Sequence, residues 1–328
     1  MDRRSGWSLL ATLALAAALP IVVTDRYGIQ LLNMALIFSI LTLGFYVLFG
    51  LTGIFAVSQV AFWGIGAYTS AILTATYKWP FWGGLLAAMV VTTMAGVLLG
   101  LPTLKLRSYY LTMTTIGFAE AVRIIATNAD RLTGGPNGIG RIPAPQIGPL
   151  LLNTPARMFY LSLALLGVII LGLIRLSHSR LGRSMQSVRD DELAAEAMGV
   201  NVTRIKVMAF ALSALAGGIA GPLYGALTAF ISPDAFTLAV TVQVTAMLVI
   251  GGRSSIPGAV AGAVLLTYLP EWLRQLKDWY MAIYGLGLLV ILIFLPEGLG
   301  GGVRKLWTRL VRRWHAGSGK AEPGGAAR

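Results

Sequence analysis

The residues best placed to do chemistry in this chain are Glu120 and Arg123, two opposite charges three positions apart inside an apolar segment. That spacing puts both on one helix face, within reach of each other. Glu120 lies about twelve residues from the basic start of its segment, roughly 18 Å at 1.5 Å per residue, which is past a bilayer midplane. Charges at that depth are costly, and mark a structural ion pair or a polar path; the residues leave both readings open. Little else offers chemistry. There is no cysteine, which excludes disulfides, thiolate metal sites and thiol catalysis. The only histidines, His178 and His315, lie in polar flanks and leave no histidine-based metal or acid–base site. Gly317-Ser318-Gly319-Lys320 lacks the first glycine, the following Ser or Thr and the preceding strand of a phosphate loop. Buried carboxylates of the kind that couple carriers to protons or sodium are almost absent, so any driving energy comes from elsewhere.

These charges sit in a chain built for lipid. Only 12% of its 328 residues are charged, against about 25% in a soluble domain. Its mean hydropathy is +0.74. A span needs about 20 apolar residues, and the apolar runs here are too long for barrel strands. The fold class is therefore an all-α polytopic membrane protein. Ten apolar segments are read at roughly 6–23, 28–50, 54–76, 81–101, 108–127, 157–176, 206–231, 236–252, 256–272 and 279–296. The first also resembles a secretory signal peptide, but it runs on through Pro20 to Val23 without a clear cleavage site, favouring a retained span. With the N-terminus inside, 18 of the 26 basic residues face the cytoplasm; the reverse orientation puts those 18 outside, against the positive-inside bias. The expected arrangement is ten spans, N-in and C-in. The same bias accounts for the net charge of +13 without nucleic acid as a partner.

Residues 1–296 form one transmembrane domain, and 297–328 a basic cytoplasmic tail. Between the sixth and seventh segments lies a hydrophilic island, 179–206, bearing Arg180, Arg183, Arg189, Arg204 and Lys206. Its helical periodicity gathers Leu181, Met185, Val188, Ala195 and Met198 on one side. An amphipathic helix held at the cytoplasmic surface offers a handle to a soluble partner. Within the spans, Ser58 and Gln59 precede Phe62, Gly64 and Gly66, the pattern of a distorted helix lining a cavity; interhelical hydrogen bonding is the alternative. Thr112, Thr114, Thr115, Thr241, Gln243 and Thr245 are open to the same two readings, and a threonine can simply bond back to its own helix. Gly217, Gly221 and Gly225, Gly96 with Gly100, and Gly258 with Gly262 recur at steps of four, which suits close helix packing or a moving gate. Trp63, Trp79, Trp82, Trp272, Trp279 and Trp307 mostly fit an interfacial belt.

Four stretches, in order, resemble the M-type permease subunits of branched-chain amino acid ABC importers: Gly50–Leu73 (GLTGIFAVSQVAFWGIGAYTSAIL); Gly100–Asn128 with the LTGGPNGI run Leu132–Ile139; Leu181–Gly221; and FISPDAF, Phe230–Phe236, with GGRSSIPGAVAGA, Gly251–Ala263. The resemblance implies a transport subunit of the bacterial inner membrane rather than an enzyme. It implies a second related permease, two ATPase subunits that bind ATP and Mg in place of this chain, and a periplasmic or lipid-anchored binding protein. It makes the island the ATPase-coupling loop, with Met185, Val188, Glu192, Ala194, Ala195 and Gly199 as coupling residues. Ala194, Ala195 and Gly199 keep the general spacing of such loops, but Leu193 stands where a Glu is expected and Glu192 comes one position early. Arg253-Ser254-Ser255 also departs from the family's pattern, which puts contacts of that loop in question. Ser58, Gln59, Phe62, Gly64, Gly66, Thr114 and Glu120 are the candidate translocation path. Related permeases serve urea, amides and other small solutes, so the substrate is not fixed by the resemblance. A self-sufficient channel for a small neutral solute would explain the apolar spans but not the island; a polytopic enzyme lacks a catalytic cluster.

Overall fold

A computed structural model of the protein describes residue 20, residues 25–103, 108–148, 150–253 and 255–273, and residue 285. The expected spans at 6–23 and 279–296, the signal-peptide alternative, the tail, the 317–320 run, Lys105, Arg107, Ser254, Trp279 and Trp307 lie outside the described residues. Each of the other eight apolar segments contains a helix. The first, α1, runs Arg26–Phe45 and continues as a π-helical turn, Tyr46–Leu51; α2 is Gln59–Ala71, extended by a second π-helical turn, Ile72–Thr76. Then come α3 (Phe81–Thr103), α4 (Ser108–Asn128), a single turn α5 (Asp130–Thr133) and α6 (Pro155–His178). The island forms α7 (Arg180–Asp190) and α8 (Glu192–Ala197), and α9 (Val202–Thr228), α10 (Leu238–Gly251) and α11 (Ile256–Leu273) follow. Among the described residues, five helices are long and apolar enough to cross a membrane: Arg26–Leu51, Phe81–Pro102, Pro155–His178, Val202–Thr228 and Ile256–Leu273. A helix closes its own backbone hydrogen bonds, which is why apolar runs in lipid take this form. Among the described residues, four two-residue strands make two small antiparallel pairs outside the helices.

Helix starts are set by side chains that accept orphan N–H groups. Asp25 accepts from Gly28, Ser179 from Gly182, Asp191 from Ala194 and Asn201 from Arg204. Pro155 opens α6, where its missing N–H costs nothing. The Asp191 cap breaks the island, expected as one amphipathic helix, into two. The break follows from Asp191 itself, whose extended backbone (φ −158°, ψ 114°) interrupts α7 while its carboxylate begins α8.

α9 is the central helix, against α1, α2 and α3. Its small residues let backbones touch. A Cβ added at Gly217 would sit 2.7 Å from the Cβ of Phe62, one at Gly66 would lie 2.9 Å from the Gly217 carbonyl, and one at Gly218 would meet Ala88 O and Met89 Cα at 2.9 Å. At Gly221 the intruding carbon would meet α2 main chain at Gly66 and Ala67. Gly225 differs: its added Cβ would reach Ile142 and Ile231 side chains, at 3.3 and 3.6 Å. Close packing of this kind holds helices together where no hydrophobic effect separates helix from lipid. Trp63, expected at an interface, is instead buried, ringed by Phe38, Tyr224 and Phe236 at centroid distances of 5.9, 4.8 and 4.8 Å.

The chain has two ends in space. At one, the close of α1 meets α7, the Arg189 Nη1 donating to Gly50 O. At the other, Tyr27 donates a 2.6 Å hydrogen bond to Glu271, and Ile139–Gly140 pairs with Phe230–Ile231. That ladder joins the LTGGPNGI and FISPDAF stretches into one unit. Gly138 (φ +67°) must be glycine there, because a Cβ would strike the Ile231 carbonyl.

Gly221→Ala should lower the thermal midpoint of the detergent-solubilised protein by forcing α2 and α9 apart, an overpacking cost of about 1–3 kcal/mol. Gly172→Ala, where an added Cβ meets nothing within 4 Å, should leave it unchanged or raise it. Equal midpoints in the two variants would show that the α2–α9 backbones are not in contact.

Candidate translocation and coupling sites

The helix expected over 54–76 does not begin until Gln59. Residues 53–57 lie outside any helix, and Ser58 caps α2, its carbonyl accepting from Phe62 N at 3.2 Å; yet Ile54, Ala56, Val57 and Ser58 are buried. The distortion thus lies ahead of Ser58, while Gly64 and Gly66 sit within regular helix. Gly53 (φ +73°) supplies the left-handed turn that starts the break. Buried, non-helical backbone has to find partners elsewhere, since an unpaired amide in an apolar medium costs several kcal/mol.

The partners can be followed one by one. At the end of α1, Val47 O accepts from the Thr52 hydroxyl at 2.7 Å and Leu48 O from Ile54 N at 2.9 Å. Gly50 O accepts from Arg189 Nη1 at 3.0 Å. Further on, Phe55 O accepts from the Thr112 hydroxyl at 3.0 Å, and Val57 N donates to Thr115 Oγ1 at 3.0 Å. Thr115 passes its own proton to Thr112 O at 2.9 Å. Two threonines one turn apart on α4 therefore stand in for the helical partners that residues 55 and 57 lack. Gln59 then restarts the helix, clasped to α9: its Nε2 donates to Ser213 O at 3.3 Å and its Oε1 accepts from the Ser213 hydroxyl. A Cβ at Gly44 would collide with this amide, so Gly44 leaves room for Gln59 between α1 and α9. Ser58 Oγ is fully buried and has no partner.

Of the expected path residues, the structure brings Ser58, Gln59 and Phe62 to this break, with Phe62 against Phe118 of α4 at 5.9 Å between centroids. Gly64 lies further along α2 under the Phe236 ring, and Gly66 lies on α9. Thr114 is on the opposite, exposed face of α4, bonded back to Tyr110 O. Glu120 and Arg123 do pair, Arg123 Nε reaching both carboxylate oxygens at 3.1 Å. The pair is half-exposed on this chain, with side-chain exposures of 45% for Glu120 and 30% for Arg123. Thr112 and Thr115, open in the sequence to path lining or interhelical hydrogen bonding, take the second reading; Ser213 and Arg189 were not among the expected site residues.

The coupling residues divide by location. Met185, Val188 and Ala195 are buried against the chain's own body, with 0%, 5% and 4% exposure. Part of the expected apolar side of the island thus anchors the loop, while Met198 of the same side faces outward. Glu192 pairs with Lys206 at the start of α9. Gly199 (φ +85°) makes the turn out of α8. What remains facing outward is Ala194 with the large apolar side chains of Leu193 and Met198, 78% and 85% exposed. Arg253 lies over the Phe49 ring at 5.9 Å, so this unexpected arginine is seated beside the same helix break.

Residues 27–295 match the family described as branched-chain amino acid transport system / permease component. The chain is 37% identical over 314 residues to the high-affinity branched-chain amino acid transport system permease protein LivM of Salmonella typhimurium, covering 89% of this chain and 74% of that one. The LivM protein of Escherichia coli is 36% identical with the same coverage. The autoinducer 2 import system permease protein LsrC of Yersinia pseudotuberculosis is 27% identical, covering 89% of this chain and 85% of its own length. No solved structure matches the chain.

Thr115→Val removes the acceptor for Val57 N and should destabilise the protein by about 1–3 kcal/mol, the cost of an orphaned buried donor. Thr114→Val, which loses only a bond within its own helix, should change stability by less than about 0.5 kcal/mol, as expected for surface substitutions. Chemical or thermal unfolding in detergent measures both. Equal effects would mean the break does not depend on α4.

Proposed function

The chain belongs to the family of branched-chain amino acid transport system permease components, and we propose on that footing that it forms half of a translocation path for branched-chain amino acids across the bacterial inner membrane. The other half is a second, homologous permease. Two ATPase subunits on the cytoplasmic side bind ATP and Mg, and a periplasmic or lipid-anchored binding protein delivers the solute. Ten spans with both termini inside place the α7–α8 loop in the cytoplasm. Arg175, Arg180, Arg183, Arg189, Arg204, Lys206 and Arg253 gather at that end of the described chain, in keeping with the positive-inside bias. Residues 1–296 make up the permease domain, with 179–206 as its coupling loop and 297–328 as a basic tail. LsrC, a permease of a different importer by name, is also related, but the higher identity to the LivM proteins favours branched-chain amino acids.

The observation that carries coupled transport over a self-sufficient facilitator is the seating of the α7–α8 loop. It is held by buried Met185, Val188 and Ala195 while Leu193 and Met198 stay exposed. A loop with an apolar anchor and an apolar outer surface transmits force between two bodies. The path runs beside the break at Ser58, Gln59 and Phe62, with Gly64 and Gly66 further along α2 and Thr114 and Glu120 on α4; Thr114 and the Glu120–Arg123 pair face the second permease.

Copurification from native membranes should yield two ATPase subunits, a second permease and a binding protein. The reconstituted complex should take up leucine only with ATP. Leucine uptake by this chain alone, without ATPase, would establish the facilitator instead. Leu193→Asp should fold normally yet reduce ATPase copurification or coupled transport at least about tenfold, since a desolvated unpaired charge costs several kcal/mol at an interface. Ala195→Asp, placing the charge inside the chain, should disrupt the loop itself. For orientation, Arg131→Cys should react with an impermeant thiol reagent in intact spheroplasts and Met198→Cys only after permeabilisation. The chain has no cysteine of its own to confuse the signal, and the opposite pattern would invert the topology.

A further inference from the structure

We infer that Arg189 is the positioning residue that links the coupling loop to the translocation path, and that the element it moves is the non-helical segment 53–58. This rests on the coupled-transport reading above. Arg189 is the penultimate residue of α7. Its guanidinium is divided: Nε and Nη2 donate to Asp190 Oδ1 at 3.1 and 2.9 Å, and Nη1 donates to Gly50 O at 3.0 Å. The carboxylate of Asp190 thereby aims the remaining donor at the last turn of α1. The stem of Arg189 lies over Gly53, where an added Cβ would be 2.9 Å from Arg189 Cγ and 3.3 Å from its Cα. One side chain thus touches both the carbonyl at which α1 ends and the left-handed residue at which the break begins.

Displacement of α7 has a direct consequence. Gly50 O lies at a helix end, where carbonyls have no partner within the helix. Shifting Arg189 removes its hydrogen bond and changes the space above Gly53 together. The segment beyond is non-helical as far as Ser58, whose carbonyl accepts from Phe62 N as the cap of α2, and it is held on α4 by Thr112 and Thr115. Its far end, Ser58, has a buried hydroxyl without a partner, so a movement there breaks no bond made by that group. A segment held by a few replaceable side-chain bonds shifts more readily than a continuous helix, and it delivers its motion to Gln59 and Phe62. Arg253, over Phe49, lies at the same junction but makes no bond to the break, so the link is assigned to Arg189.

The test uses the complete reconstituted transporter, with a single cysteine introduced as Phe55→Cys at the partly buried position in the break. In the parent complex the rate of thiol alkylation at this position should change at least fivefold between the nucleotide-free and ATP–vanadate-trapped states. Arg189→Met should keep its ATPase subunits and its basal hydrolysis, but lose most of that nucleotide-dependent change and at least tenfold of the leucine transported per ATP. Arg189→Lys, which keeps a donor for Gly50 O but not the fork to Asp190, should restore part of both. A merely structural role would lower yield while leaving the reactivity change and the transport-to-hydrolysis ratio of assembled complexes intact, and that result overturns the inference. So does loss of ATPase binding in Arg189→Met with rescue in Arg189→Lys, which would make Arg189 a docking contact. If Arg189→Met fails to assemble, Arg189→Lys alone decides: an unaltered ratio and reactivity change reject the link, and a partial loss of both supports it. Absence of ATPase subunits from the parent complex is a separate outcome that defeats the function proposed above.

Discussion

Everything distinctive in this protein follows from one constraint: a peptide group in an apolar surrounding must have a hydrogen-bond partner. Most of the chain meets it by remaining helical. Residues 53–58 do not, and the structure around them is arranged to supply what the helix would have supplied. Thr112 and Thr115 serve one stretch, Thr52 and Ile54 close the preceding helix, and Arg189 takes the Gly50 carbonyl. The partners come from α4 and from α7, elements far apart in sequence. The break therefore fixes how those elements sit, as much as they hold the break.

Close packing makes such an arrangement possible. Gln59 reaches Ser213 only because Gly44 leaves space between α1 and α9, and α2 lies against α9 only because Gly66, Gly217 and Gly221 have no side chains to separate them. Glycine weakens a helix in isolation, but among apolar helices it permits the contact from which stability comes. Polar bonds and small residues are thus two parts of one device. The glycines set the distance at which the few buried hydroxyls and amides can reach backbone.

Much of this was legible in the sequence, and the parts that were not share a cause. Eight apolar segments became helices because length and hydropathy are local properties. The Glu120–Arg123 pair was legible because a spacing of three settles it within one helix. The distortion beside Ser58 was anticipated, yet its place was not: the glycines at 64 and 66 drew attention, although they serve packing, while the break begins at Gly53. The island misled in a similar way. Periodicity gathered Leu181, Met185, Val188, Ala195 and Met198 on one apolar side, but it cannot say which of them meet the chain's own body, as Met185, Val188 and Ala195 do, and which face outward, as Met198 does. Arg189 looked like any basic loop residue, since its partner carbonyl is 139 positions away.

The two π-helical turns, at Tyr46–Leu51 and Ile72–Thr76, belong to the same logic. Each ends a helix in the Arg26–Thr76 portion of the chain, and the first leads straight into the break. A wider turn lengthens the reach of terminal carbonyls, and a single side chain can then satisfy what a regular helix would satisfy internally. A turn-back closed by its own helical bonds would need none of these partners, and Arg189, Thr112 and Thr115 would have nothing to hold. Joining α1 to α2 through side chains from α4 and α7 instead makes the entry to the second helix answer to its neighbours. That dependence gives a loop at the end of the bundle a mechanical hold on residues inside it.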